Sequence, residues 1–162
     1  MKNRSVVFRT ALPRDRRPEV EALFFFNPLQ ASRREGIFAA ISQAGTPAIA
    51  ENEDKVWIDV PSGKTLCLFA CDERTDPFRV IGIALYTRPV TDTIWITHLT
   101  VDPAYSIRGE YGTLKVARCL VDQVMATALR IKGVTRIRLP YREGRHLRVS
   151  RPRSAMSCQS GG

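Results

Sequence analysis

The spacing of hydrophobic residues along this chain changes several times, and each change marks an element. Val6 to Arg9 is a short β-prone run that stops before Pro13. Pro13 and Pro18 both suit the start of a helix, where a missing amide donor costs nothing. Val20, Leu23 and Phe24 recur at helical spacing, Pro28 interrupts them, and Leu29, Ile37, Phe38 and Ile41 resume the pattern up to Gly45. Two short helices over about residues 14 to 44 are predicted.

The period then shortens. Val56, Ile58 and Val60 alternate with Trp57 and Asp59, Pro61 to Lys64 forms a turn, and Leu66, Leu68 and Ala70 alternate with Cys67, Phe69 and Cys71, which predicts a hairpin. After a polar connection from Asp72 to Pro77 come two runs, Val80 to Tyr86 and Thr93 to Val101, apolar on both faces and so expected in a sheet covered on each side. Val116, Ala117, Leu120, Val121, Val124, Met125, Ala128 and Leu129 hold one helical face over four turns, and Lys132-Gly133 ends it. Val134 to Leu139 is a further strand, joined through that helix by a right-handed parallel crossover, and His146 to Ser150 adds room for one more. Trp57, Trp95 and the Phe24 to Phe26 run are expected as core or interface residues.

A length of 162 residues with 44% hydrophobic and 25% charged residues fits one globular domain, read as 1–152 with a flexible basic and polar tail over 153–162. The longest uncharged stretch, Gly36 to Ala50, contains Ser42, Gln43 and Thr46, so no membrane span is expected. The apolar run after Lys2 and Arg4 is too short for a secretory signal, which makes a cytoplasmic location the default. Cys67 and Cys71 lie about 13 Å apart if on one strand and cannot bridge each other. No zinc-ligand spacing appears among four cysteines and two histidines, so no metal is expected and the thiols are read as reduced and buried.

The net charge of +9 suggests a nucleic-acid partner until it is divided along the chain. Residues 1 to 20 hold six Lys or Arg against two acids, residues 142 to 162 hold five against one, and residues 21 to 141 hold fourteen against thirteen. The excess therefore sits at the ends. The terminal arginines Arg142, Arg145, Arg148, Arg151 and Arg153 can attract an acidic partner or neutralise a ligand's phosphates, or form a solvated end. They lack the aromatic interleaving that single-strand binders use.

The ordered combination of Arg79 to Tyr86, Trp95 to Tyr105, Arg108 to Thr113 and the long helix resembles the core of the GNAT superfamily of N-acetyltransferases, over about residues 5 to 141. Phe8-Arg9-Thr10-Ala11 followed by Asp15 is similar to that family's opening. The resemblance implies an α/β (α+β) fold, a mixed and mostly antiparallel central sheet with helices on both faces. It implies acetyl-coenzyme A as acyl-donor substrate, held by the backbone around Leu99, Thr100 and Val101 and by a pyrophosphate loop at Arg108, Gly109, Glu110, Gly112 and Thr113.

The chain departs from the family in two places. Tyr111 and Thr113 stand where the family's loop has small residues, so a shifted anion nest on Gly109 and Gly112 is one reading and a plain turn the other. About twenty residues remain where the family adds a fourth helix and a hairpin, so the acceptor side is reduced or completed by a homo-oligomer or partner protein. For chemistry, His98 is a candidate base for the amine proton or a histidine packed on a sheet face, and Tyr141 a candidate proton donor to the thiolate or a packing residue.

Two functions follow. One is acyl-coenzyme A dependent N-acetylation, by direct attack, of an amine acceptor that the sequence leaves unidentified. The other is a catalytically inactive GNAT-like protein that binds or assembles with a partner, with nucleic-acid association as a weaker variant.

Overall fold

The computed structural model of the chain describes residues 6–61, 63–141 and 144–150. The expected tail at 153–162, and Arg142, Arg151, Arg153 and Cys158, lie outside them.

A six-stranded sheet runs in the order β1 (Val6–Arg9), β5 (Thr65–Asp72), β6 (Arg79–Val90), β7 (Thr93–Val101), β8 (Arg136–Arg138) and β9 (His146–Arg148). All neighbours are antiparallel except β7 and β8, which are parallel. Their crossover is α3 (Val116–Arg130), and Gly133, at φ +88, follows its end. α3 packs Val116, Leu120, Val124 and Ala128 onto one face of the sheet, all fully buried. Val116, Leu120 and Val124 each contribute about 2 kcal/mol by leaving water, and the Ala128 methyl less. The helix lies so close that a Cβ at Gly82 of β6 would stand 2.9 Å from Leu120 and 3.0 Å from Val116.

α1 (Arg17–Phe24) covers the other face, burying Val20, Leu23 and Phe24 against Phe69, Ile83 and Leu85. α2 (Arg34–Ala44) follows after a 3-10 turn over Pro28–Arg33. The mixed, mostly antiparallel sheet with helices on both faces is thus as expected from the sequence.

The expected hairpin between residues 56 and 70 is not formed. β4 (Lys55–Asp59) pairs with β3 (Ala48–Glu51) and with β2 (Leu12–Pro13) in a separate three-stranded sheet, while β5 joins the large one. Both strands point alternate residues at the same core: Val56 and Ile58 from β4 meet the cluster that holds Cys67, Phe69 and Cys71 of β5. Alternation identifies the inward face of a strand, but two inward faces can pack against each other instead of sharing an edge. Cys67 and Cys71 are buried free thiols, and burial pushes them up to about 12 and about 11, so neither is a thiolate at neutral pH.

Candidate active site

β7 has nine residues and β8 has three, and they pair only over Thr93–Trp95 against Arg136–Arg138. Beyond Trp95 this edge of β7 has no strand beside it among the described residues. On its other side β7 stays paired with β6, where the register steps from Leu85 opposite His98 to Tyr86 opposite Ile96. Thr97 is the extra residue of this bulge, which re-aims the chain that follows.

Backbone groups alternate in direction along a strand. The Asp102 N–H donates to the Ile81 carbonyl on the β6 side, so the Leu99 and Val101 backbone groups face the open edge. Two side chains meet them there. The Leu99 N–H donates to the Tyr141 hydroxyl at 3.0 Å, and Asn27 Nδ2 donates to the Val101 carbonyl at 2.8 Å.

Tyr141 is held in place by its backbone. It adopts φ +61, a left-handed conformation unusual for an aromatic residue, and lies against Gly36 of α2, where a Cβ would be 2.8 Å from the Tyr141 Cβ. Burial pushes its hydroxyl up to about 12, so it is protonated at neutral pH. Together with Leu139, Tyr141 lines two cavities. The larger, about 420 Å³, lies between the open edge at Leu99, Thr100 and Val101, the α3 residues Ala117 and Val121, and Arg33. The smaller, about 330 Å³, is bounded by α2 and by Trp95, Arg138 and Leu139, with Tyr141 lining both.

His98 stands on the α1 face of β7, 4% exposed, with its ring edge-on to Phe24 at 5.8 Å and to Tyr141 at 6.3 Å. Its Nε2 has no hydrogen-bond partner among the described residues, and burial pulls the ring down to about 4. It is neutral at pH 7 and a weak proton acceptor, with the geometry of a packed histidine.

The loop from Arg108 to Thr113 lies apart from both cavities, since none of its residues lines either one. Its amides are largely turned inward: Gly109 N–H donates to the Ser106 carbonyl, Tyr111 N–H to Ala104 and Gly112 N–H to Gly109. Neither Gly109 nor Gly112 has a positive φ. Each is glycine for want of space, because a Cβ at Gly109 would fall 2.3 Å from the Pro103 carbonyl oxygen and one at Gly112 2.5 Å from that of Ile107. Arg108, Glu110 and Thr113 are exposed. Tyr111 stacks on Tyr105 at 4.9 Å, and the Tyr105 hydroxyl donates to buried Asp72 at 2.7 Å. The Arg74 guanidinium beside Asp72, together with that hydroxyl, holds the carboxyl well below the usual carboxylate range. The loop is thereby tied to the end of β5.

The structure brings together Leu99, Thr100, Val101 and Tyr141 from the sequence-derived candidates, sets His98 behind Tyr141, and leaves the loop residues outside. Sequence reasoning missed Asn27, 5% exposed, whose Nδ2 also donates to the Thr100 hydroxyl while its Oδ1 caps the Leu29 N–H. An Asn directly before Pro28 is a helix-start signal that was available in the sequence. Gly36 and Arg138 were missed as well, since nothing local marks them. Among the described residues no cluster of His, Cys, Asp or Glu suits a metal, and no helix is long and apolar enough to cross a membrane.

No family model matches the chain, and no curated protein matches it. Among solved structures it is similar to a protein from Desulfovibrio desulfuricans assigned as an acetyltransferase of the GNAT family, with 22% sequence identity, a TM-score of 0.42, and coverage of 82% of this chain and 70% of that one.

Proposed function

We propose that this chain transfers an acetyl group from acetyl-coenzyme A to an amine by direct attack. The observation that carries the reading is the open edge of β7, where a backbone N–H at Leu99 meets a protonated tyrosine hydroxyl at the junction of two cavities. An extended donor arm with its own amides can lie along such an edge as an added strand, using the backbone groups of Leu99 and Val101. The larger cavity is lined by apolar residues of α3 on one side, which suits an alkyl chain. Arg33 and the first turn of α3 supply positive potential near it.

In the reaction the amine nitrogen forms a bond to the thioester carbonyl carbon, the carbon–sulfur bond breaks, and sulfur leaves as thiolate. The Leu99 N–H stabilises negative charge on the carbonyl oxygen once the Tyr141 hydroxyl yields that position. The released hydroxyl gives its proton to the thiolate, and the proton lost by the amine passes through water to restore the Tyr141 hydroxyl. His98 keeps the Tyr141 ring in position from behind.

Calorimetric titration with acetyl-coenzyme A tests this. Saturable binding is expected in the unmodified chain, and at least about tenfold weaker binding in Ala117→Trp, which fills the larger cavity. Absence of binding at millimolar donor would overturn the reading.

A second reading, a binding or assembly protein without transfer, is favoured by one observation: the loop amides that would cradle a pyrophosphate are bonded to the loop's own carbonyls. Acetyl-coenzyme A binding without thiol release for any amine would support it.

A further inference from the structure

The smaller cavity is lined by one base, Arg138, and one acid, Glu35, an exposed residue in the first turn of α2. Arg138 enters it from β8 with its guanidinium over the Trp95 ring at 4.3 Å and an Nη1–H donated to Gln43 Oε1 at 3.4 Å. It is partly buried and forms no ion pair among the described residues, whereas the next arginine along β8, Arg136, pairs with Asp92. Glu35 lines the same cavity and also forms no ion pair among the described residues, with Arg138 or any other base. An acid and a base that share a cavity without neutralising each other suit a ligand that carries both charges.

The spacing orients that ligand. Glu35, Ala39 and Gln43 lie on one face of α2 at i, i+4 and i+8, so the two ends are about 12 Å apart along the helix axis. Glu35 adjoins Gly36, which touches Tyr141, so the acid is at the reacting end; Gln43 and Arg138 are at the far end. Ala39, Ala40 and Leu139 line the stretch between, with no charge.

We propose that this cavity holds the acceptor as an ω-amino carboxylate, with the carboxylate on Arg138 and Gln43, about five methylenes along the apolar wall, and the amine between Glu35 and Tyr141. This rests on the transfer reading for the word acceptor, although the binding pocket does not depend on the donor. On transfer the bound ω-ammonium first releases one proton to water; the resulting amine nitrogen gains the acetyl group and loses a second proton, and coenzyme A leaves as the thiol. An α-amino acid is too short to reach both ends, and a plain alkylamine leaves the guanidinium unmatched, which is a loss of charge-assisted hydrogen bonds.

Calorimetry without donor tests the pocket, using ε-aminocaproate, hexylamine, caproate and glycine. ε-Aminocaproate is expected to bind at least about tenfold more tightly than the other three. Arg138→Gln should remove that advantage while leaving hexylamine unchanged, and Glu35→Gln should weaken both amines. Gln43→Ala, at an exposed position, should weaken ε-aminocaproate alone and guards against a folding defect in the first variant. Equal binding of the four compounds, or no effect of Arg138→Gln in a protein of unchanged melting temperature, would overturn the proposal. A thiol-release assay with acetyl-coenzyme A separates the two claims: ε-aminocaproate binding without thiol release contradicts the transfer reading and leaves the pocket standing, and thiol release with hexylamine but not ε-aminocaproate does the reverse.

Discussion

At the scale of single residues, Tyr141 joins three features: a left-handed backbone, close contact with Gly36, and a hydroxyl on the Leu99 N–H. A residue that only filled space would not need the hydroxyl. In Tyr141→Phe the turnover number for thiol release is expected to fall by about 10², with acetyl-coenzyme A affinity within about threefold of the unmodified chain. Steady-state kinetics beside a direct titration would separate these quantities, and an unchanged turnover number would remove Tyr141 from the chemistry. The sequence marked Tyr141 only as a tyrosine at the end of a strand. Its partner Gly36 lies over a hundred residues earlier, and local pattern carries no signal of contacts at such separation. His98 was legible as a residue but not in its environment, because the burial that pulls its ring to about 4 comes from Phe24, Tyr141 and the covering helix.

At the scale of elements, periodicity located most strands and the long helix, because α3 and the β6 and β7 runs each have a continuous apolar pattern. It missed β2 and β3, which are two and four residues long, and it joined β4 to β5 because their inward faces share one core. The loop at 108–113 shows a related limit: two glycines in a suggestive spacing fit either an anion nest or a tight turn. Gly109→Ala distinguishes the two. A Cβ there meets the Pro103 and Ala104 carbonyls, at 2.3 and 2.4 Å, so the substitution is expected to cost about 2 kcal/mol and lower the melting temperature by roughly 6 °C, whereas Gly63→Ala, with open space around it, should change little. Weakened coenzyme binding at an unchanged melting temperature would instead assign the loop to phosphate.

At the scale of the whole molecule, buried titratable groups link stability to pH. His98 is pulled from 6.5 to about 4 on folding, so between those values the unfolded chain binds more protons and stability falls as pH falls. The loss is roughly 3 kcal/mol at most and is complete near pH 4. Denaturant melts between pH 7 and 4 should show this decline in the unmodified chain and a flatter one in His98→Gln; equal slopes would show that His98 does not titrate as its burial requires. Asp72, held below the usual carboxylate range by Arg74 and Tyr105, adds a loss that sets in only at lower pH.

On the proposed reading, the donor is expected along the open edge of β7 and not on the Arg108–Thr113 loop. The amide resonances of a nitrogen-labelled sample, followed while acetyl-coenzyme A is added, test it most directly. The Leu99 and Val101 amides are expected to shift most and Gly109, Tyr111 and Gly112 to move little; the largest shifts at Gly109 to Gly112, with Leu99 unmoved, would overturn this placement.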